Sequence, residues 1–449
     1  MAESLLTQRV DAIRRLARRG AAAALGKVVA KTRAEDLAAA MMHLHPPEQR
    51  LVFGQVREDS VAAAVLASVD PQDFTHLIKD LPMDRLALLL AAMDPDDQTD
   101  ALERLDEETR AAVLQRIHGE EREQVEELMG YRPDTAGGIM SPLAFRLSED
   151  CTCRDAIAAV QEVSDHEQIY YVYVENEAHQ LVGVVSLRNL LTHAPSTALC
   201  DIMIRDVISV TPQTDQEEVA RIAGRYGMLA VPVVDEQRSL LGIVTVDDVI
   251  DVIREEAAED MLLMAGVSEQ ETPNLTRTQA VLQRVPWLLI TLGGGLLISE
   301  VIRRFNGVLS SDLVLAGFIP IVMGMEGNVG IQSATLTVRN LATGRLEGRA
   351  TSTVVGEMGT GLSMGVLFGV LIGAYCMLRY QDIHVAAAVA IAVVTGMTCA
   401  ALVGTAVPLT MKRLGIDPAI ATGPFVTTAM DGVGLTIYLS IASLLLGGR

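Results

Sequence analysis

The stretch TGPFVTTAMDGVGLTIYL, residues 422–439, places one carboxylate inside a long apolar run and decides how the chain is organised. Asp431 is the only charged residue between Asp417 and Arg449. A carboxylate at the centre of a bilayer-spanning helix is costly unless it faces water or a partner, so it is functional by default. Pairing with a buried base is the structural alternative, but no base lies at comparable depth in another apolar run. We therefore interpret Asp431 as a functional carboxylate within a membrane helix.

Apolar runs of this kind recur from residue 285 onward. A bilayer-spanning helix needs about 20 apolar residues, and five segments meet that length. The predicted spans lie near 285–303, 313–340, 357–378, 384–411 and 420–446. An odd number of spans puts the two ends of the chain on opposite sides of the membrane. Glycine is frequent within these spans, which favours close helix packing.

Charge divides the chain of 449 residues into two parts. Residues 1–274 carry 25 Lys and Arg against 49 Asp and Glu, whereas residues 275–449 carry 11 against 8. The net charge of −21 therefore comes from the first part. An acidic surface argues against a nucleic-acid partner and favours cations, although a merely solvated acidic surface is the simpler alternative.

Loop charge predicts the orientation in the membrane. With the N-terminal part inside, the inner loops hold seven bases and the outer side four, in agreement with the positive-inside rule. The N-terminal stretch MAESLLTQRVDAIRRL lacks the apolar core of a signal peptide. We expect a multi-pass protein of the cell (inner) membrane with cytosolic N-terminal domains. The five cysteines are scattered without metal-ligand spacing, which favours free thiols.

The soluble part contains an internal repeat. LVGVVSLRNLL (181–191) recurs as LLGIVTVDDVI (240–250), 59 residues later, and each copy follows an apolar strand and a helical stretch. The order helix, strand, turn, strand, helix resembles a pair of CBS modules, which implies an α+β regulatory domain over 132–253. Residues 1–131 show apolar residues at helical spacing, broken at HPPEQ, DPQDF, LPMDR and DPDDQ. This pattern predicts an all-α superhelix of short helices.

An acidic segment joins the soluble and apolar parts. In TVDDVIDVIREEAAEDMLLM (245–264) the acids recur at steps of four, and like charges at that spacing repel along one helical face. A solvated linker helix is one interpretation. Because the segment directly precedes the first span, a face that binds divalent cations at the cytosolic mouth is the other, and position favours it. The predicted helix covers 245–275.

A second polar feature lies in the membrane part, in GMEGNVGIQSATLTVRNLATG (324–344). Asn328, Gln332 and Thr335 fall on one helical face. Uncharged oxygen ligands beside a carboxylate suit a hard cation. Hydrogen bonding between helices is the alternative and stays open for Gln332. Thr427 and Thr428 precede Asp431 by one helical turn and share its face.

The order of these parts resembles the MgtE family of magnesium channels. The resemblance rests above all on GNVGIQSATLTVRNLATG and GIDPAIATGPFVTTAMDGVGLTIYLSIA. It implies a multidomain membrane protein with an all-α cytosolic N-domain, an α+β CBS-pair domain, an acidic connecting (plug) helix and a five-helix transmembrane domain over 283–449. It also implies a Mg²⁺-selective channel that cytosolic Mg²⁺ closes, and not an enzyme.

The resemblance further implies a homodimer in the lipid bilayer with a pore between the two membrane domains. Asp431 of each chain would select the ion, with Thr427, Thr428, Asn328, Gln332 and Thr335 lining the pore. The plug helix and its surroundings would sense cytosolic Mg²⁺ through Asp96, Asp100, Glu217, Asp247, Asp248, Asp251, Glu256, Glu259, Asp260 and Asp417.

The sequence departs from the family pattern at four positions. Glu326 stands where the family usually has Gly, which adds a carboxylate near the pore. Ala64 and Gly227 stand where an acid can contribute to sensing. Asn189 stands where the first CBS module often has Asp, which counts against ATP as a ligand there. The residues that would contact ATP are Tyr170, Tyr171 and Arg188.

Two other classes of function are compatible with parts of the sequence. An ion-coupled secondary transporter of divalent cations such as Mg²⁺ or Co²⁺ would use the same residues and stays open. A CBS-regulated membrane enzyme is disfavoured, because the chain has no GxxxxGK(S/T), HExxH or GxSxG motif.

Overall fold

The computed structural model describes residues 2–117, 119–162, 169–267, 277–311, 313–346, 350–421 and 423–446. The chain divides into two compact units, residues 1–253 and residues 254–449. Most of the described chain is helical, and the strands are confined to the repeat region. The predicted fold class is confirmed: a helical N-terminal region, a CBS pair and five apolar helices.

Short helices build the N-terminal region. Their bounds are α1 Ala2–Arg18, α2 Ala22–Val29, α3 Ala34–Met41, α4 Pro46–Phe53, α5 Asp59–Ala67, α6 Pro71–Ile78, α7 Met83–Leu90, α8 Pro95–Glu103, α9 Glu107–Leu114 and α10 Glu120–Leu128. Helices α4, α6 and α8 begin at a proline, whose fixed φ suits the first helical position. Leu25, Leu37 and Phe74 are fully buried in one continuous apolar core.

The repeat region forms two similar halves. Its elements are β1 Arg146–Ser148, α11 Cys153–Glu162, β2 Tyr171–Glu175, β3 Leu181–Ser186, α12 Leu187–Thr192, α13 Leu199–Ile202, α14 Gln216–Tyr226, β4 Ala230–Val234 and β5 Leu240–Thr245. Strands β2 and β3 pair antiparallel, as do β4 and β5, and each pair has an irregularity near the end of its first strand. Helix α14 ends at Gly227, whose φ of 64° favours glycine. The helix end therefore accounts for one departure from the family pattern.

The acidic segment forms one continuous helix, α15 Val246–Met264. Its buried residues Val249 and Val252 pack with the core of the second repeat. Its first residues belong to the N-terminal unit and its last residues to the C-terminal unit. The predicted continuation over 268–275 lies outside the described residues.

The C-terminal unit contains the five helices that are long and apolar enough to cross a membrane. Its elements are α16 Arg277–Arg304, α17 Asn306–Ser311, α18 Leu313–Ala342, α19 Ala350–Tyr380, α20 Ile383–Arg413, a 3₁₀ helix Pro418–Ala421, and α21 Pro424–Leu446. Each predicted span overlaps one of these helices. Most of the helices are longer than predicted, because their charged ends were excluded from the apolar windows.

Glycines bring α20 into close contact with its neighbours. A Cβ on Gly361, Gly365 or Gly369 of α19 would lie within 2.9 Å of α20. A Cβ on Gly404 of α20 would lie 2.3 Å from the carbonyl oxygen of Gly330 in α18. The close packing that the glycine pattern predicted is therefore present, and it holds α18 and α19 against α20.

Candidate cation sites

Asp431 lies two turns into α21, which begins at Pro424. Its side chain is half-buried in the single chain. Arg303, Arg339 and Arg379 lie in the last turns of α16, α18 and α19, as expected. The negative charge of Asp431 therefore lies well inside a membrane helix, while these bases lie at helix ends.

The two threonines that precede Asp431 have different surroundings. The Thr427 hydroxyl donates to the carbonyl oxygen of Pro424 at 3.1 Å. The methyl group of Thr428 packs on α16, since a Cβ on Gly294 would lie 1.8 Å from it. Thr427 thus keeps its oxygen lone pairs for a ligand, whereas Thr428 lies at the contact between α16 and α21.

The predicted polar face of α18 is largely uncovered in the single chain. Asn328 and Gln332 are exposed and Thr335 is half-buried. The opposite face, with Gly330, Ala334 and Val338, is buried. Polar side chains are rarely left against lipid, so this face needs water, an ion or a second protein surface to cover it.

Glu326 occupies the buried face of the same helix. It is 1% exposed, and neither Oε1 nor Oε2 has a hydrogen-bond partner in the described part of the chain. A Cβ on Gly396 of α20 would lie 1.6 Å from Oε1, and one on Gly434 of α21 would lie 1.6 Å from Oε2. Asp431 is close enough to interact with it electrostatically. Sequence reasoning placed this extra carboxylate near the pore but could not find its two glycine neighbours.

A first group of carboxylates lies in the N-terminal unit; we call Asp96, Asp97 and Asp248 the upper acidic cluster. Burial, and next the charge of Asp248, raises the pKa of Asp96 well above its usual range. Burial and the same neighbour raise the pKa of Asp97 to about 7. Burial also raises the pKa of Asp248 to about 6, although Thr245 donates to it. The structure therefore places carboxylates of α8 and of the start of α15 close together, where they repel each other.

Asp97 belongs to this cluster and was missing from the predicted sensor. The pattern contained a signal for it, because DPDD packs three carboxylates around the start of α8. The predicted residue Asp100 lies one turn further on, and burial raises its pKa while Arg104 opposes that effect.

A second group lies in the C-terminal unit; we call Glu256, Asp260 and Asp417 the lower acidic cluster. Burial raises the pKa of Asp260 to about 6, with Asp417 and then Glu256 adding to the effect. The Asp417 Oδ1 accepts a hydrogen bond from the backbone N–H of Ala419 at 2.8 Å. This bond orders the turn just before α21.

The same region joins α15 to α21. A Cβ on Gly423 would lie 3.0 Å from the carbonyl oxygen of Met264, and one on Gly266 would lie 2.9 Å from the ring of Pro424. Gly266 has a φ of 71°, which lets the chain turn sharply after α15. The end of the acidic helix thus abuts the start of the helix that carries Asp431.

The remaining predicted sensor residues are more dispersed. Asp247 accepts a hydrogen bond from the Thr245 hydroxyl, Asp251 and Glu259 continue along α15, and Glu217 is exposed in the first turn of α14. The described residues contain no group of three or more His, Cys, Asp or Glu side chains that could hold a metal ion. Water would have to complete the coordination at any of these sites, which Mg²⁺ accepts more readily than most ions.

The predicted nucleotide residues are brought together only in part. Tyr170 and Tyr171 line a narrow recess with Phe145 and Tyr173, and the Tyr171 hydroxyl accepts a hydrogen bond from the backbone N–H of Leu229 at 3.3 Å. Arg188 is exposed on α12 and does not line this recess.

Comparisons with known proteins match all three parts of the chain. Residues 32–134 match the MgtE intracellular N domain, residues 199–255 match a CBS domain, and residues 319–441 match the MgtE divalent cation transporter domain. The magnesium transporter MgtE of Thermus thermophilus is 40% identical over 72% of this chain and 73% of its own length. That of Bacillus subtilis is 32% identical over 91% of this chain and 93% of its own.

The chain belongs to the MgtE family. Two solved structures agree over the N-terminal region of this MgtE protein. The cytosolic domain of the Mg²⁺ channel MgtE in complex with ATP is 34% identical, with a TM-score of 0.51, and covers 54% of this chain and 99% of that structure. The soluble part of a magnesium transporter is 30% identical, with a TM-score of 0.50, and covers 56% of this chain and 99% of that structure. This MgtE protein is thus a magnesium transporter and not an enzyme.

Proposed function

We propose that this MgtE protein is a Mg²⁺-selective channel for Mg²⁺ uptake that closes when cytosolic Mg²⁺ is high. The observation that carries the proposal is the contact between the end of α15 and the start of α21. Because of that contact, a change in the acidic helix acts directly on the helix that carries Asp431. In this proposal residues 1–131 and 132–253 sense Mg²⁺, residues 245–275 form the plug and residues 283–449 form the pore.

The pore lies between two copies of the chain in the cell (inner) membrane, with the N-terminal domains in the cytosol. Support comes from the exposed polar face at Asn328 and Gln332, which a second copy and a water-filled axis would cover. Mg²⁺ is small and gives up its water reluctantly. Two Asp431 carboxylates with Thr427 and carbonyl oxygens can hold the hydrated ion and select it by size and charge.

Gating follows from the repulsion within the two acidic clusters. At low cytosolic Mg²⁺ the carboxylates within each cluster repel each other. This repulsion disfavours the compact state, in which the carboxylates of a cluster lie close together. At high Mg²⁺ the ion neutralises and bridges them, so that the compact state with the plug at the mouth is favoured. The ion shifts the equilibrium only by its differential affinity for the two states.

Flux through reconstituted protein tests the pore. Asp431→Ala should abolish Mg²⁺ entry into proteoliposomes, because it removes the proposed ion-selecting carboxylate, the one acidic residue of α21. Glu300→Gln is the matched control, since Glu300 is exposed near the end of α16 and pairs with Arg303. Undiminished flux in Asp431→Ala would contradict the pore assignment.

The same vesicles separate a channel from a coupled transporter. Flux through a channel follows the Mg²⁺ electrochemical gradient alone. Dependence on an imposed H⁺ or Na⁺ gradient would instead support ion-coupled transport of divalent cations.

The proposal includes ATP as a ligand of the recess at Tyr170 and Tyr171. The relative solved in complex with ATP supports it. Asn189 at the start of α12 and the exposed position of Arg188 count against it. Equilibrium binding of ATP to the purified full-length protein, with Tyr170→Ala as the variant, tests this part.

A further inference from the structure

Glu326 is the most deeply buried acidic side chain of the described residues, at 1% exposed against 9% for Asp73. It lies near the middle of α18, and both carboxylate oxygens lack a hydrogen-bond partner in that part of the chain. Leaving a buried carboxylate unpaired is among the least favourable arrangements in a protein. Glu357 of α19 shows the usual solution, because its Oε2 accepts a hydrogen bond from Ser333 at 2.9 Å.

Two neighbouring helices are shaped around this carboxylate. Gly396 of α20 lies against Oε1 and Gly434 of α21 lies against Oε2, and a Cβ at either position would come to 1.6 Å from the oxygen. Other close glycines of the membrane domain, Gly361 and Gly365 of α19 and Gly404 of α20, face backbone or apolar side chains instead. The space between α20 and α21 therefore fits the carboxylate itself.

Among the described residues, no base acts on this carboxylate. Arg303, Arg339 and Arg379 lie at helix ends. The charged group that acts on Glu326 is Asp431, which has the same sign. Two like charges in a medium of low dielectric constant create a strongly negative potential. That potential attracts a mobile cation.

We propose that Glu326 binds a divalent cation inside the bundle of α18, α20 and α21, at a second site beside the one formed by Asp431. The proposal rests on the proposed function, because the transported ion supplies the cation. A divalent ion fits better than a monovalent one, since Glu326 and Asp431 together offer it two carboxylates. The second site gives the ion another position within the membrane domain and raises its occupancy there.

Thermal unfolding of the purified full-length protein tests the site. The only tryptophan, Trp287, lies on α16 with its ring 6.3 Å from that of Phe425 on α21, so its fluorescence reports on the C-terminal unit. MgCl₂ should raise the midpoint temperature of unfolding in the wild type, because ligand binding stabilises the folded state. In Glu326→Gln the midpoint without Mg²⁺ should be higher than that of the wild type without Mg²⁺. The increase that Mg²⁺ adds in this variant should be at most about half that of the wild type.

Gly396→Ala is a second variant that keeps the charge and is favourable in a helix. Its Cβ forces the Glu326 carboxylate out of its position, so the Mg²⁺-dependent rise should fall as in Glu326→Gln. Gly359→Ala on α19 is the matched control, since a Cβ there meets nothing within 4 Å. In vesicles, both test variants should raise the half-saturating Mg²⁺ concentration for flux roughly tenfold.

Two outcomes would overturn the proposal. One is an undiminished Mg²⁺-dependent rise in both Glu326→Gln and Gly396→Ala. The other is that acidification without Mg²⁺ raises the wild-type unfolding temperature as far as Mg²⁺ does, and that adding Mg²⁺ then raises it no further. That result would mean that Glu326 takes up a proton only. If the wild type shows no Mg²⁺ flux, the proposed function fails, while the unfolding experiment still decides whether Glu326 binds the ion.

Discussion

Whether a carboxylate has a partner decides what it can do in this molecule. Glu300 pairs with Arg303, and Glu357 accepts a hydrogen bond from Ser333, so both are neutralised or anchored locally. Asp96 keeps a buried Oδ1 without a hydrogen-bond partner in the described chain, and its charged neighbours are carboxylates. Such groups are destabilising on their own and become favourable when a cation arrives, which is the property that a sensor requires.

The upper acidic cluster should make the N-terminal unit sensitive to pH. The pKa of Asp97 is about 7 in the folded protein, whereas an unfolded Asp titrates near 3.9. Between these values the folded state binds more protons than the unfolded state, so stability falls as the pH rises from about 4 to 7 and stays low above. Amide protection of α8 in hydrogen exchange, corrected for intrinsic rates, should decrease over this range.

Asp97→Asn checks the origin of that effect. The variant should flatten the pH dependence of α8 protection and increase protection at pH 8, and Mg²⁺ should do the same in the wild type. Glu123→Gln, an exposed position on α10, should leave the profile unchanged. A profile in Asp97→Asn as steep as that of the wild type would show that this carboxylate is not responsible.

At the scale of elements, α15 is the part that can carry a signal. Its 19 residues span about 28 Å at 1.5 Å per residue. One end joins the upper acidic cluster through Asp248, and the other end abuts α21 at Gly423. Continuous helices transmit displacement with little loss. The proposed gating therefore requires a change in repulsion among its carboxylates to reach the helix of Asp431.

Neutralising the start of α15 should uncouple sensing from permeation. In Asp247→Asn/Asp248→Asn/Asp251→Asn the Mg²⁺ flux should persist at internal Mg²⁺ concentrations that block the wild type, because the ion can no longer favour the compact state. The matched control is the triple change of the exposed α10 acids Glu123, Glu126 and Glu127 to Gln. Unchanged block by internal Mg²⁺ in the α15 variant would rule out the plug model.

The elements were far easier to predict from sequence than the contacts between them. The five apolar helices and the two strand pairs follow from local patterns, because hydropathy and period-two alternation are properties of neighbouring residues. The glycine neighbours of Glu326 are 70 and 108 positions away, so only the packed structure reveals them. The participation of Asp97 likewise depends on Asp248, which lies in another domain. Sequence identified Asp431 because an isolated charge in an apolar run needs no tertiary contact to be recognised.

For the whole molecule, the surface of the single chain is informative. Helix α16 has no buried residue, although it is one of the five membrane-crossing candidates. Helix α18 leaves Asn328 and Gln332 uncovered on the face opposite its packed side. An apolar exposed helix suits lipid or a protein partner, but exposed amides within the membrane do not suit lipid. A second copy that faces α18 satisfies both conditions.

Cysteine cross-linking in membranes tests that arrangement. In a variant whose five cysteines are replaced, Asn328→Cys should form a cross-linked dimer with a short bifunctional reagent, because the proposed dimer places both copies of α18 at the same axis. Leu367→Cys on α19 is the matched control, since Leu367 is also exposed, at 57%, but lies on a different helix from Asn328. If Leu367→Cys cross-links and Asn328→Cys does not, α18 does not face the axis. The uncovered amides would then need a water-filled path within one chain, and Asp431 would select the ion without a second carboxylate opposite it.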